Sequence, residues 1–367
     1  MLFHGTKNFP TAENMMSFAK DNGIYTNAYT NGEYIDFYLN VPGINLDKGI
    51  QIIEETIFKP LFPEDKIDNE RNIVTQELKS KWDRPETRFF NQVDQIIFGK
   101  DHLYTRDPIG ETDCLKNIFS SDLKKIHQKY FQPQNITIFI SGNIKNQKNI
   151  IKQLSLIFNQ QKNTYLSKIK IPYIHPSSKK ELIFNDKPDQ ETICINWILR
   201  NKRKPTRLEK ISQTIFNNIL GNGIDSLLFK TFRLKYGLVY GIKSKITNFK
   251  NCSILEISCQ IDPANSQKFL EIFDQEFNQI INQITLDKFK QSIKYTNFQS
   301  LMIYDSLLEI SNWLFSEIKN YQKILLPEGY IKLAKKINFH TTFNFFKNKL
   351  TPKNRYIFRM TPIKPEQ

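Results

Sequence analysis

Residues 24–41 read Ile-Tyr-Thr-Asn-Ala-Tyr-Thr-Asn-Gly-Glu-Tyr-Ile-Asp-Phe-Tyr-Leu-Asn-Val, two runs rich in aromatic and β-branched side chains around Asn31-Gly32. Such side chains fit the pleated surface of a strand. Asn-Gly is the dipeptide that most favours a two-residue hairpin turn, because both residues adopt positive φ readily. The stretch therefore predicts an antiparallel hairpin, the first strand pair of the chain.

Helical patterns surround this hairpin in the first half of the chain. A short one precedes it at 12–20. Apolar residues recur at helical spacing over 46–58, 64–81, 86–98, 121–130 and 146–158. The apolar run Ile136–Ser141, closed by Gly142, predicts a buried strand.

The second half repeats this layout. It predicts strands at 181–184 and 192–199, a helix at 207–220, a hairpin of 240–247 and 253–261, long helices between 264 and 320, a helix at 341–350 and a strand at 355–360. Antiparallel strands with helices on one face form an α+β domain. We therefore predict two related α/β-sandwich domains, at 1–160 and 181–367. The segment 161–180 lacks periodicity and is rich in Lys, Pro and Ser, so it is the expected linker.

Composition limits the possible functions of the chain. Its 367 residues, 40% hydrophobic and 24% charged, suit two folded domains. No apolar stretch is long enough for a membrane span. The net charge is +15, but the lysines are dispersed, so nucleic-acid binding is not expected. Cys252 and Cys259 are seven apart in a predicted strand and face opposite ways, which argues against a disulfide or a cysteine zinc site.

One predicted helix carries two acidic residues on the same face. Glu70 and Glu77 are seven positions apart in Asp-Asn-Glu-Arg-Asn-Ile-Val-Thr-Gln-Glu-Leu, which is two helical turns. Val74 lies between them on that face, which indicates that it is partly covered. Taken alone, the pattern is typical of a solvated helix face, with Glu77 and Lys81 as an ordinary i,i+4 pair.

The opening residues Met-Leu-Phe-His-Gly-Thr, with the following helix and hairpin, resemble a segment of the M16 metallopeptidases, the insulinase and mitochondrial-processing-peptidase family. Further matches to its first domain lie at 101–104 with 108–110, at 130–135 and at 140–143. The resemblance spans nearly the whole chain and implies the family's two-domain α+β fold. In that family the zinc motif His-x-x-Glu-His precedes this opening segment. The motif is absent from the 367 residues, so the first domain is expected to be N-terminally truncated.

The resemblance implies roles for the two glutamates. Glu77 matches the family's third zinc ligand, at the right distance from a histidine directly before Met1. Glu70 matches an acid that orients the ligands. A catalytic zinc takes three protein ligands and a water. Zinc is therefore the cofactor expected of a form that includes the motif, and this chain alone is expected to bind none.

The resemblance also implies residues that bind the substrate. The segment Phe-Arg-Leu-Lys-Tyr-Gly-Leu-Val-Tyr at 232–240 resembles the family's Arg-x-x-x-Gly-Leu-x-Tyr segment. Arg233 and Tyr240 would then hold a peptide carbonyl and stabilise its developing oxyanion. In the hairpin, Asn27 and Ala28 match an edge that takes an extended peptide as an added strand.

The five histidines do not replace the missing motif. They form no His-x-x-Glu-His or His-Glu-x-x-His pair. His4 follows the expected position of the motif too closely to substitute for it. All five are expected to be surface or packing residues.

Three functions remain open. The first is a zinc endopeptidase that cleaves extended peptides or unfolded polypeptides, inactive as the chain stands. The second is a metal-free partner subunit of an M16 heterodimer or homodimer. The third is a structural or binding protein. Retention of Glu70, Glu77, Arg233 and Tyr240 favours the first. The compartment stays open between bacterial cytoplasm and periplasm, since any signal peptide would lie upstream of Met1.

Overall fold

The structure is a computed structural model that describes residues 2–161, 170–186, 190–200 and 202–363. The helices are α1 Ala12–Asp21, α2 Leu46–Phe58, α3 Glu64–Trp82, α4 Pro85–Phe98, α5 Thr112–Leu115, α6 Ser120–Tyr130, α7 Gln147–Asn159, α8 Arg207–Leu220, α9 Pro263–Asn282, α10 Leu286–Met302, α11 Leu307–Tyr321, α12 Pro327–Ala334 and α13 Phe339–Lys349. The strands are β1 Tyr25–Thr30, β2 Ile35–Asn40, β3 Glu181–Asp186, β4 Glu191–Arg200, β5 Ile242–Asn248, β6 Ser253–Ile261 and β7 Arg355–Pro362. The predicted helices agree closely, and α2 and α8 begin and end where predicted.

The chain forms two compact units. The first unit comprises Met1–Asp83 with Arg106–Lys170, and the second comprises Arg84–Thr105 with Ile171–Gln367. This division differs from the predicted domains, because residues 84–105 pack within the second unit. Of the predicted linker, residues 162–169 lie outside the described part of the chain.

The first unit contains the predicted hairpin. Strands β1 and β2 pair antiparallel from Tyr25 opposite Asn40 to Thr30 opposite Ile35. The predicted two-residue turn is wrong, because four residues, 31–34, connect the strands. Asn31 closes this loop with its side chain: its Oδ1 accepts from the backbone N–H of Glu33 at 2.9 Å and of Tyr34 at 3.1 Å. An Asn side chain that bonds its own backbone in this way stabilises a wider loop than a tight turn.

The predicted buried strand at Ile136–Ser141 is also wrong. The segment has no strand pairing among the described residues, and its apolar side chains are only partly buried. A strand is buried only when a neighbouring strand pairs with its backbone N–H and C=O groups. Among the described residues of the first unit, one small apolar cluster consists of Phe9, Met15, Ala19, Ile24 and Ile52, and further apolar residues such as Ile57, Phe62 and Ile67 are buried outside it.

The second unit is built on a five-stranded sheet with the order β3-β7-β4-β6-β5. Its pairs are antiparallel as predicted, except that β3 runs parallel to β7. One face carries the main core, where Trp197 of β4 stacks on Phe277 of α9 with ring centroids 5.1 Å apart. The α+β fold is confirmed.

Helices cover both faces of this sheet, whereas one covered face was predicted. Helix α4 packs Phe89, Val93 and Ile97 against the face opposite the main core. The reason lies in β4, which is buried on both faces and therefore needs cover on both. Cys252 and Cys259 do face opposite sides, one in each core, and all four cysteines are free thiols. Among the described residues, no helix is both long and apolar enough to cross a membrane.

Candidate functional site

The N-terminal segment of the first unit is held by a buried carboxylate, that of Glu55 on α2. Its oxygens accept from Thr6 Oγ1 at 2.9 Å and from the backbone N–H and side chain of Asn8, both at 2.8 Å. Lys59 Nζ adds an ion pair at 2.9 Å. Burial raises the pKa of Glu55, but these bonds outweigh it and leave the pKa below its ordinary value. Gly5 completes the anchor, since a Cβ there would lie 2.7 Å from Pro10 O.

This anchor places His4 beside helix α3. His4 Nε2 lies 3.1 Å from Glu70 Oε2, and both side chains are partly exposed, at 31% and 24%. The predicted ligand-orienting acid is therefore in contact with a histidine of the same unit. No spacing rule reveals this pair, because the two residues are 66 positions apart and meet only when the N-terminal segment folds back on α3.

Helix α3 is fixed by polar contacts to the segment that follows α5. Arg71 donates from Nε to Leu115 O at 3.0 Å and from Nη2 to Ile118 O at 2.8 Å. Glu64, in the first turn of α3, accepts from the backbone N–H of Ser120 at 3.2 Å. Both contacts orient the helix that carries the two glutamates.

Glu77 lies two turns beyond Glu70 on α3 and is exposed. Among the described residues, no group of three His, Cys, Asp or Glu side chains can hold a metal ion. Glu70 and Glu77 with His4 do not form such a group. The residues described here therefore do not fit the three-ligand zinc site of the expected kind.

Two other histidines have packing roles, as predicted. His102 is 5% exposed, and its Nε2 lies 3.1 Å from Pro172 O. His127 Nε2 lies 2.7 Å from Ile57 O, its ring stacks on Phe131, and burial lowers its pKa. Because a carbonyl oxygen only accepts, Nε2 is the protonated nitrogen in both rings.

The second unit presents Arg233 and Tyr240 from a turn that precedes β5. A π-helical segment, Phe229–Lys235, buries Phe232 completely in the main core, so that the next residue, Arg233, reaches the surface. Short π-helical segments occur often at functional sites. Tyr240 was predicted within a strand, but β5 begins two residues later.

The two side chains meet. The Arg233 guanidinium lies 5.0 Å from the ring centroid of Tyr240, within cation–π range. Its Nη1 donates to Val239 O at 3.2 Å, which fixes its orientation. The Tyr240 ring is 83% exposed. A guanidinium and a phenol are thus held side by side at the surface, where both can donate to a carbonyl oxygen.

Gly221, at the C-terminal end of α8, lies directly against β5. The Ser244 backbone N–H donates to Gly221 O at 2.9 Å, and a Cβ at Gly221 would lie 2.7 Å from Ser244 N. Only glycine allows this approach. The Gly-Asn-Gly at 221–223 thus supports the strand that follows Tyr240.

The two residues expected to take an added strand lie on β1 of the first unit, where the Ala28 backbone N–H donates to Asn27 Oδ1 at 2.8 Å. Asn27 is exposed and Ala28 partly exposed on β1. In the described part of the chain the hairpin forms a sheet of two strands, so one side of β1 has no strand partner.

Two family models match the chain. Residues 1–106 match the model described as insulinase (peptidase family M16), and residues 118–295 match the model described as peptidase M16 inactive domain. An uncharacterized zinc protease of Bacillus subtilis, YmxG, is 25% identical over 260 residues. The match covers 70% of this chain and 61% of that protein, so the chain spans less than two thirds of this relative.

Solved structures share the fold. A peptidase M16 inactive domain from Pseudomonas fluorescens superposes with a TM-score of 0.83 at 17% identity, covering 100% of this chain and 88% of that one. A mutant of the ferredoxin protease FusC, in complex with Arabidopsis ferredoxin, gives 0.75 at 14% identity, covering 99% of this chain and 39% of that one.

Proposed function

The chain belongs to the M16 peptidase family, and from this premise we propose that it binds extended peptides as part of a zinc-dependent endopeptidase. The observation that carries the proposal is the Arg233–Tyr240 pair. A guanidinium keeps several N–H donors after one has bonded Val239 O, and the exposed Tyr240 ring, which carries a further donor, lies beside it. Such donors suit a peptide carbonyl, and they act most strongly when charge develops on its oxygen.

We propose separately that the hairpin edge of β1, in the first unit, binds an extended peptide. An extended peptide that pairs with an unpaired strand edge is held by main-chain hydrogen bonds, which tolerate varied side chains. Asn27 and Ala28 lie on that edge. The substrate class is therefore an unfolded or flexible polypeptide segment, because a folded protein does not offer an extended backbone.

We propose further that Glu77 is a zinc ligand only where the histidines of a His-x-x-Glu-His motif are supplied, and that the 367 residues alone hold no zinc and hydrolyse no peptide. The described residues support this, since they do not assemble three ligands. The name zinc protease belongs to relatives such as the Bacillus subtilis protein.

Peptide binding tests the first part. A fluorescein-labelled unstructured peptide is titrated with the chain and followed by fluorescence anisotropy. Arg233→Gln and Tyr240→Phe are each expected to raise Kd about five- to tenfold, the loss of one or two hydrogen bonds to a carbonyl. Arg106→Gln and Tyr295→Phe are matched controls, because both residues are exposed and lie outside the proposed site. Equal Kd values for all four variants contradict the proposal.

Metal analysis tests the second part. The purified chain is equilibrated with zinc, dialysed and measured by atomic emission. We expect well under one zinc per chain and the same value for Glu77→Gln. One tightly held zinc per chain that is lost in Glu77→Gln would show that the chain completes a site by itself.

The alternative is a non-catalytic partner subunit, and it is favoured by the finding that no group of three possible metal ligands occurs among the described residues. Mixing the chain with a homologue that carries His-x-x-Glu-His separates the two functions. If peptide hydrolysis by the homologue rises on mixing and Arg233→Gln abolishes the rise, the chain is a partner subunit. If hydrolysis does not change, the partner-subunit function is contradicted.

A further inference from the structure

A cavity of about 280 Å³ lies in the second unit, and neither Arg233 nor Tyr240 lines it. Its walls come from the segment before α8, the first turn of α8, the second half of β5 and the last turns of α11. The polar residues that line it are Lys204, Lys210, Lys245, Thr247, Asn248, Ser316, Asn320 and Tyr321. Three of these eight are lysines, and no Asp or Glu is among the described residues that line the cavity.

The carboxylates near the cavity bond other partners. Glu317, 1% exposed on α11, accepts from Arg207 Nε at 2.9 Å, from the backbone N–H of Leu325 at 3.0 Å and from the Tyr330 hydroxyl. Glu209 forms two bonds of 2.9 Å with Arg203. Both acids are thus oriented toward arginines or backbone, so the cavity keeps a positive lining.

Lys210 is the most constrained of the lysines. It is partly buried, and burial lowers its pKa, although Glu317 acts in the opposite direction. Its Nζ donates to the neutral Ser316 Oγ, at the long distance of 3.4 Å. An ammonium group removed from water needs stronger compensation than one long bond to a hydroxyl.

The Ser316 hydroxyl adds a further hydrogen-bond donor beside Lys210. Its Oγ accepts from Lys210 Nζ and from Asn320 Nδ2, the latter at 3.3 Å. A hydroxyl that already accepts two bonds has its own proton left to donate. Lys204 Nζ donates to Asn320 O, which brings a second ammonium group to the same end of α11.

We propose that this cavity binds a small oxyanion, namely phosphate or the phosphate group of a small ester. Lys210 and Ser316 would make the direct bonds, and Lys204 and Lys245 would supply positive charge on opposite walls. Charge-assisted bonds from ammonium groups to phosphate oxygens are among the stronger hydrogen bonds in proteins. An anion would supply the counter-charge that Lys210 lacks in the lining. The site is independent of the proposed peptidase function.

Isothermal titration calorimetry with inorganic phosphate at low ionic strength tests the proposal. We expect one site per chain with a Kd of about 1 mM or tighter. Lys210→Met is expected to weaken binding at least tenfold, and Lys245→Met to weaken it less, since Lys245 is exposed. Lys243→Met is the matched control, because it lies on the same strand and is exposed but does not line the cavity. Thermal unfolding verifies that each variant is folded.

Glycerol 3-phosphate separates the two sources of the anion. Tighter binding of the ester than of phosphate identifies a phosphate ester as the ligand, and equal binding identifies the free ion. The proposal is overturned if phosphate does not bind at 10 mM, a concentration about tenfold above the expected Kd. It is also overturned if Lys210→Met and Lys245→Met bind as well as the wild type. Should Lys210→Met fail to fold, Lys245→Met and Ser316→Ala decide the outcome.

Discussion

The two units bury carboxyl groups in opposite electrostatic settings. In the first unit, Glu55 is 0% exposed but accepts bonds from Thr6, Asn8 and Lys59, so its pKa lies below the ordinary value. In the second unit, Asp94 of α4 accepts no such hydrogen bonds from the described residues that would lower its pKa. Burial, together with the charge of Glu256, raises its pKa to about 7. The first carboxyl group is buried as an anion, the second close to its neutral form.

The difference follows from what each unit uses as a core. The first unit has a small apolar cluster and a two-stranded sheet, and it fixes its N-terminal segment with polar bonds. The second unit has apolar side chains on both faces of a five-stranded sheet, and α4 lies on one of them. A carboxyl group that lies on an apolar face loses contact with water without gaining hydrogen-bond donors, so its pKa rises. Polar anchoring and apolar packing therefore predict different sensitivities to mutation and to pH.

The largest effect is expected in the apolar core of the second unit. Phe273 is 0% exposed and lies between Phe232 and Phe277. Phe273→Ala should lower the free energy of unfolding by about 3–5 kcal/mol, through lost burial and the cavity left behind. Urea unfolding measures it. Phe298→Ala, at a 55% exposed position, is the control and should change stability little. A loss below 1 kcal/mol for Phe273→Ala, the size expected at surface positions, would contradict the role given to this core.

In the first unit, the polar anchor should dominate. Glu55→Gln keeps the shape of the side chain but removes the charge that Lys59 and Asn8 bond. We expect a loss of about 2–3 kcal/mol, since buried bonds to a charged group are lost. Hydrogen exchange of amides in α1 and α2 reports it, with the exposed Glu13→Gln as control.

The same variant has a pH signature. The folded pKa of Glu55 is lowered, so its contribution is present above the unfolded pKa and lost as pH falls through the folded pKa. Wild type should lose protection in α1 and α2 in acid, and Glu55→Gln should lose less. Equal acid sensitivity of both would show that other carboxyl groups carry the effect.

The second unit should show the reverse pH dependence, with a smaller amplitude. Because the folded pKa of Asp94 is raised to about 7, the folded state keeps a proton that the unfolded chain has lost. The neutral-form contribution is full below about pH 4 and is lost as pH rises through 7. Asp94→Asn should therefore raise stability by about 1–2 kcal/mol at pH 8 and have little effect at pH 4.

The pH dependence expected for Asp94→Asn is set by the charged groups around Asp94. Glu256 on β6 raises its pKa, and the charge of Glu256 also raises the pKa of the buried Cys194 thiol, where burial is the larger cause. Lys243 on β5 acts on Cys194 in the opposite direction. Urea unfolding at pH 5 and pH 8 of Asp94→Asn and Glu256→Gln measures the coupling. A stabilisation by Asp94→Asn that does not depend on pH would contradict it.

The smallest expected effect is the loss of a helix N-cap, an interaction that both units contain. Thr11 caps α1 and Thr206 caps α8, each in a capping box with the residue three positions on. Thr11→Ala and Thr206→Ala should each cost about 1 kcal/mol, because the same backbone N–H loses its partner. Thr11→Ser and Thr206→Ser are the matched controls. A cost in only one unit would show that the surrounding core, and not the cap, limits helix stability there.

Local structure was largely predictable from the sequence. The helices α2 and α8 agree with their predicted bounds, because their apolar spacing and end signals are local. The opposite directions of Cys252 and Cys259 followed from the two-residue period of a strand. The hairpin was predicted, but its loop was not, since the Asn31 side chain bonds replace the expected turn.

The candidate site was predictable only in parts. Its proposed members Arg233 and Tyr240 came from a sequence motif, and the structure places them 5.0 Å apart, guanidinium to ring centroid. The contact of His4 with Glu70 had no signal in the sequence. Nor did the cavity around Lys210, because its walls come from three separate segments of the chain, within 204–210, 245–249 and 316–321.

The sequence by itself determined most of the segments that are helices and strands, which of their faces are apolar, and the family to which the chain belongs. These properties depend on neighbours within a few turns or a few residues. The tertiary structure alone decided the parallel pairing of β3 with β7, the packing of α4 in the second unit and the states of Glu55 and Asp94. The physical reason is that periodicity shows which face of a helix or strand is buried but not which element covers it. Strand pairing and the pKa of a buried carboxyl group both depend on that covering element.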